Sequence, residues 1–379
     1  MTDFRKWWAA WLLPLLLTAP SLRAADYWMY AGTYTKGASK GIYVWSFQPK
    51  SGKAVPAGIA AETTNPSYLL VHPNHKVLFA VNENGSETVM GSVSAFSIDA
   101  KTGKLALLNW VSSRGGSPCH LALDRSGKWL AVANYSSGSL AILPVGADGK
   151  LGEASAFVQQ HGSSVNPARQ GGPHAHAAVF SGDNRFLLAA DLGADKIFVY
   201  RFDAQHGTLA PNDPPSAAVK PGAGVRHLIF HPNGKVLYAI NELASSITVF
   251  QYDAARGTLE DLQTVSTLPE RYAGATTAAE IAIDAAGRRV YASNRGHDSV
   301  ALLAVDPVLF TLSAMEFPPA MVKTPRYFTL DPEGGNLIVA GQDSDRLQVF
   351  KVHPRTGQMQ PRGRGVNVPS PTCVVFVPR

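Results

Sequence analysis

Six side chains able to move protons or hold charge recur at intervals of about 50 residues, the range of propeller repeats. They are His120, His176, the adjacent pair Arg226 and His227, Glu280 and Arg326. Such residues suit general acid–base chemistry with electrostatic support. An imidazole or a carboxylate can take a proton from water, and a guanidinium can hold negative charge that develops during the reaction. No serine is set in a strand–turn–helix nucleophile elbow, so attack by water is expected rather than a covalent intermediate.

The elements that must position these residues follow a repeat, clearest over 224–251. A short apolar strand ends at His231-Pro232, and the turn Asn233-Gly234 leads into a second strand that stops at Asn241. A third strand follows over 246–250. The second strand recurs with ends at Asn82, Asn134, Asp191, Asn241, Asn294 and Gln342, with an earlier copy ending near Thr33. The third recurs as GIYVWSF, GSVSAFSI, GSLAILPV, DKIFVYRF, SSITVFQY, DSVALLAV and DRLQVFKV. Aromatic and β-branched residues fill the strands, Gly, Asn, Asp and Pro mark the turns, and helical periodicity is missing. The chain opens on a second strand over 26–35, with an outer strand over 54–61, and closes on an inner-strand copy over 373–377. These ends complement one another. The expectation is an all-β, seven-bladed β-propeller whose C-terminal strand closes the first blade.

In an up-and-down blade, the start of the inner strand and the end of the second strand lie at the same end. Residues there converge on one mouth of the central channel. One inner-strand column reads Tyr68, His120, Ala177, His227, Glu280, Tyr327, Cys373. The column before it reads Ser67, Cys119, His176, Arg226, Ala279, Arg326, Thr372, with Asn65 and His174 further back. The second-strand ends add Asn82, Glu83, Asn134, Tyr135, Asp191, Asn241, Glu242, Asn294 and Arg295. Polar groups gathered in a concave mouth cost desolvation unless satisfied, which marks the mouth as a site. The repeated asparagines also fit turn chemistry, and His72 and His231, each before a proline, fit a repeat feature.

Residues 1–24 have the pattern of a signal peptide. Arg5 and Lys6 precede an apolar run, and small residues precede a cut after Ala24. Residues 25–379 form one propeller domain on this reading, placed in the periplasm, with no membrane association after cleavage. The stretch 159–172 reads as a surface loop. The chain carries a net charge of +6, and loss of 1–24 lowers it by two. Basic and aromatic residues do not interleave, which argues against nucleic acid. Cys119 and Cys373 fall in blades separated by another, too far apart for a disulfide, and no cysteine–histidine set has zinc spacing.

The pieces GTYT, NPSYL, AVNE, GSPCH, VANYSSGS, GPHAH, DLGADK, FHP, NEL, AAEI, SNRG, TPRYF and PTCVVF run through the whole of the chain beyond the leader. Together they resemble the 6-phosphogluconolactonase-type β-propeller lactonases, a family that includes relatives acting on muconate lactones. The resemblance implies a seven-bladed propeller and hydrolysis of a sugar lactone. It implies site residues at His120, His176, Arg226, His227, Glu280 and Arg326. The usual Gly-Pro-Arg-His of the family reads Gly224-Val225-Arg226-His227 here. A leader points to an unphosphorylated substrate such as D-glucono-1,5-lactone, since the phosphorylated sugar is a cytoplasmic metabolite.

For such a reaction Glu280 or a neighbouring histidine is the candidate general base. Arg226 and Arg326 would hold the oxyanion, or clamp an acidic substrate, and His176 or His120 would protonate the leaving oxygen. His120, His174, His227, Asn134, Asn294 and Arg295 are candidates for substrate contact. No metal or other cofactor is expected, because His and Arg crowd the mouth. The alternative is a divalent cation such as calcium on Glu280, Asn134, Asn294 and Asp191. Further alternatives are a 6-phosphogluconolactonase, and a propeller that binds a sugar acid or a protein without catalysis. Mouth loops on adjoining blades also permit an oligomer.

Overall fold

A computed structural model describes residues 26–379. The expected signal peptide lies outside the described residues. Seven four-stranded antiparallel sheets follow one another, each ordered from inner to outer strand. Blade 1 is built from both ends of the chain: Pro371–Pro378 pairs with Tyr27–Thr33, which leads to Gly41–Gln48 and Lys53–Glu62. The closing strand is thus longer than the apolar run 373–377. The inner strands of blades 2 to 7 are Leu69–Val71, Pro118–Leu123, Ala175–Phe180, Val225–Phe230, Thr277–Ile283 and Pro325–Leu330. Among the described residues, helix is confined to one 3-10 turn, Gln342–Ser344.

The core lies between blades. Each apolar cluster joins two neighbours: Val199 and Phe250 meet between blades 4 and 5, and Tyr238 and Leu303 between blades 5 and 6. Adjacent sheets therefore bury each other's faces, and no blade can bury its own alone. His231 adds a directional tie. Its Nδ1 accepts from the Asn233 N–H at 3.1 Å, and its Nε2 lies 3.0 Å from the Gly287 carbonyl of the next blade. His72 repeats this against Gly127 at 3.2 Å. Both histidines belong to the repeat rather than to the mouth. Both cysteines are buried and unbridged.

One irregularity matters for the channel. Near the start of six inner strands the ladder slips. In four blades the skipped residue is Cys119, His176, Arg226 or Arg326. A β-bulge sets two residues against one and re-aims side chains, so consecutive residues can face the same side. Arg226 and His227 do so, with Nη1 and Nε2 3.1 Å apart.

Gly287 has φ +68°, and a Cβ there would collide with the His231 ring. Gly335 has open space around it and no left-handed backbone. Gly287→Ala is expected to lower stability by more than about 1 kcal/mol and Gly335→Ala to leave it within about 0.5 kcal/mol, as read by urea denaturation. Equal effects would remove the inter-blade tie from the account.

Candidate active site

The bulges stack two tiers of side chains at the mouth. The upper tier holds Cys119, His176, Arg226 and Arg326. The lower holds Tyr68, His120, His227, Glu280 and Tyr327. The lower tier is tightly packed: the His120 ring lies 4.4 Å from Tyr68 and 5.2 Å from His227, and Tyr68 meets Tyr327 edge-on at 6.2 Å. Above it opens a cavity of about 290 Å³ lined by Glu83, Cys119, Tyr135, Arg169, His176, Glu242, Thr277, Arg295 and Arg326.

Glu242 organises one wall. Its Oε1 accepts from Arg169 Nη2 at 2.7 Å, and its Oε2 lies 3.1 Å from Arg226 Nε and 2.9 Å from Arg295 Nη2. Burial pushes this carboxyl up, but Arg295, Arg226 and Arg169 together outweigh it and hold the group at about 2. Burial draws Arg295 down to about 10, against the pull of Glu242, which leaves it cationic at neutral pH. His176 sits beside this cluster, its ring 5.5 Å from Tyr135 and 5.2 Å from His227. Burial, followed by the charges of Arg226, His227 and Arg326, pushes His176 well below the ordinary imidazole value, so it is neutral at pH 7. Its Nδ1 faces Cys119 Sγ at 4.0 Å, and among the described residues Nε2 has no hydrogen-bond partner. Burial raises the Cys119 thiol, which removes it as a nucleophile.

The opposite wall is built by Tyr34, Glu83, Ser67 and Arg326. Tyr34 Oη lies 2.9 Å from each oxygen of Glu83, and Ser67 also donates to that carboxylate. Arg326 Nη2 donates to Tyr34 Oη at 2.9 Å, with its guanidinium 5.3 Å from the ring centroid. The recorded ion pairs of the cavity arginines all end on Glu242, and Arg326 makes none among the described residues.

The candidates named from the sequence stand at different depths in the channel. His176, Arg295 and Arg326 line the cavity. Arg226 lies directly behind it, bonded to Glu242 and to the Ala279 carbonyl. His120, His227 and Glu280 lie one tier below. His227 accepts from Arg226 at Nε2, which leaves its proton on Nδ1 to donate to Glu280 Oε1 at 3.1 Å. The same oxygen accepts from the Ile281 N–H at 3.0 Å. Glu280 is therefore held away from the cavity, whereas the sequence made it, with the neighbouring histidines, a candidate for the general base. His174 is at the rim, stacked on Tyr135 at 4.5 Å, with Nδ1 3.0 Å from the Tyr135 carbonyl oxygen.

Asn134 and Asn294 do not line the cavity. Each amide donates within the repeat, Asn134 to the Ser113 carbonyl and Asn294 to the Thr267 carbonyl. Asp191 likewise accepts from the His174 and Ala194 N–H groups. Among the described residues no group of three or more His, Cys, Asp or Glu is placed to hold a metal ion. The sequence placed Glu242 and Glu83, one place beyond Asn241 and Asn82, at the mouth but gave them no role, and it passed over Arg169, which reaches in from the stretch taken for a surface loop. The one available signal was the acidic residue after the repeated asparagine, present in only these two blades.

Burial raises Glu280 to about 7, against the pull of Arg226 and the Ile281 hydrogen bond. From its unfolded value of 4.5 up to about 7 the folded state keeps a proton that the unfolded chain has lost. Stability therefore falls as pH rises through this window, by up to about 3 kcal/mol. Glu280→Gln removes that cost. Relative to the parent, the variant is expected to be more stable at pH 8 than at pH 4.5, in denaturant melts at the two values. An offset that does not change with pH would contradict a buried, proton-retaining Glu280.

The sequence matches the family described as lactonase, 7-bladed beta-propeller, over residues 28–376. It is 33% identical over 348 residues to a 6-phosphogluconolactonase of Bacillus subtilis, covering 92% of this chain and 97% of that one. A 6-phosphogluconolactonase of Formosa agariphila is 35% identical over 88% of this chain and 94% of its own. Among solved structures, the periplasmic gluconolactonase of Pseudomonas aeruginosa superimposes with a TM-score of 0.88 at 36% identity, covering 93% of this chain and 99% of that one. The ring closure, the bulged inner strands and the charged mouth are thus features of a chain that belongs to the seven-bladed β-propeller lactonases.

Proposed function

We propose that the chain hydrolyses an unphosphorylated sugar δ-lactone, D-glucono-1,5-lactone to D-gluconate, in the periplasm, by metal-independent attack of water. The observation that carries this reading is a neutral imidazole, His176, facing the same cavity as cations fixed by Glu242. The leader-like pattern of 1–24 and the similarity to a periplasmic gluconolactonase support the compartment and the substrate. No helix among the described residues is long and apolar enough to cross a membrane.

In this mechanism His176, with its proton on Nδ1, accepts a proton from water at Nε2 as the oxygen attacks the lactone carbonyl. Arg295, with Arg226 behind it, holds the oxyanion. Because Glu242 fixes both guanidinium groups beforehand, little reorganisation is needed as charge develops. Collapse breaks the bond to the ring oxygen, which takes the proton back from His176. The product is the open-chain hydroxy acid. His227 and Glu280 act from below by holding Arg226, and Arg326 orients substrate from the opposite wall.

Purified protein is expected to release acid from fresh D-glucono-1,5-lactone well above the spontaneous rate, with the rate unchanged by EDTA. Complete loss on chelation, restored by calcium, would refute the metal-independent route. Absence of turnover on this lactone and its 6-phosphate would favour a binding role instead.

His176→Ala is expected to lower kcat by about 10²–10⁴ with an unchanged melting curve. Because burial and neighbouring cations depress His176 below the ordinary imidazole value of 6.5, kcat/KM should stay level down through pH 7 and fall only below 6.5. An acid limb centred near 7 would contradict a base role for His176.

A further inference from the structure

Two carboxylates line the cavity, and their hydrogen-bonding capacity differs. Glu242 is buried, and its two oxygens are taken by three arginines. Glu83 is half-buried at the end of Val77–Asn82 and accepts from two hydroxyls, Tyr34 and Ser67. Arg326 donates to Tyr34 Oη, so the tyrosine proton is directed onward to Glu83. An ionised carboxylate offers about four lone-pair sites. Each hydroxyl supplies one proton, so about two acceptor sites of Glu83 remain for a ligand.

We propose that Glu83 is the specificity-determining residue of this site: it accepts hydrogen bonds from the hydroxyls of an uncharged polyhydroxy lactone and repels a phosphorylated one. The inference rests on the lactonase reading above and adds to it a reason in the cavity wall. Sugar hydroxyls can donate, and an acceptor-only carboxylate with free lone pairs suits them. A phosphate ester is acceptor-only and anionic, so against Glu83 it finds neither a donor nor an opposite charge. The cations of the far wall outnumber Glu242 and would favour an anion there, so the discrimination is confined to the wall that Glu83 holds. Arg326 alone lacks a carboxylate partner among the described residues, and its Nη2 is engaged with Tyr34. Reading a hydroxyl with a buried polar group discriminates more strongly than an apolar pocket does, because the wrong ligand leaves that group unpaired.

The test compares the parent, Glu83→Gln and Glu83→Asp on D-glucono-1,5-lactone and its 6-phosphate at fixed ionic strength. Glu83→Gln is expected to raise KM for the free lactone about tenfold with little change in kcat, a loss of binding shared by ground and transition states. The same variant should improve use of the phosphate ester, so that the preference for the free lactone drops by about 100-fold. Glu83→Asp keeps the charge at shorter reach. It should lose affinity for the free lactone while still rejecting the phosphate ester. Equal effects of Glu83→Gln on both substrates, or acceptance of the phosphate ester by Glu83→Asp, would overturn the proposal.

Calorimetric titration with gluconate and 6-phosphogluconate reads the same selectivity without turnover. If no variant hydrolyses either lactone but 6-phosphogluconate gains on gluconate in Glu83→Gln, the lactonase reading fails and the role of Glu83 stands. Turnover with no such shift refutes Glu83 alone. Neither turnover nor a shift refutes both.

Discussion

Three guanidinium groups share the two oxygens of Glu242, and the cavity depends on that arrangement. Arg226 enters from the inner strand of blade 5, Arg295 from the second strand of blade 6, and Arg169 from the loop that joins blades 3 and 4. Each ion would be costly to bury alone, and removing one partner of such a set leaves uncompensated charge. The carboxylate therefore does more than neutralise. It ties blade 5 to blade 6 and to the loop between blades 3 and 4, and it holds cations at one wall in advance of any substrate. The neutrality of His176 follows from the same cluster, since the Arg226 charge adds to burial in disfavouring the imidazolium.

The lower tier serves the upper one. His227 accepts from Arg226 and donates to Glu280, so the guanidinium that pairs with Glu242 is also braced from beneath. Glu280 Oε2 is buried without a partner among the described residues, consistent with burial lifting this carboxyl toward neutrality. Two carboxylates a tier apart thus have opposite character. Glu242, among three cations, stays ionised, whereas Glu280, among imidazoles and tyrosines, keeps its proton to near pH 7. Environment, not residue type, assigns their parts.

Much of this was visible in the sequence, and the reasons for the rest are physical. The seven blades and the closing strand follow from period-two alternation and turn residues recurring along the chain. His120, His176, Arg226, His227, Glu280 and Arg326 stood out because they break columns that are otherwise small or apolar. Depth within the channel was not legible. It is set by where the bulge falls, and a bulge shows in sequence only as two adjacent channel-facing residues. Glu280 was accordingly named among the candidate bases, although it lies a tier below the cavity. Asn134 and Asn294 were credited with substrate because they sit at the right end of the right strand, yet their amides complete the repeat. Arg169 lay in a stretch with no strand pattern, and only the folded loop shows that it reaches Glu242.

The pairing of Pro371–Pro378 with Tyr27–Thr33 has a consequence for how the protein comes into being. Blade 1 is the first to leave the ribosome and the last to be completed, because its innermost strand is synthesised after every other blade. Until then the inner edge of Tyr27–Thr33 is open, and Cys373 and Val374 are missing from the two clusters that flank blade 1. The contact that seals the ring is also among the longest-range in sequence, with the Arg379 N–H donating to the Asp26 carbonyl at 2.9 Å. Contacts of such separation form late and slowly. The chain thus carries its own delay. It cannot lock into a finished toroid until Pro371–Pro378 has been synthesised.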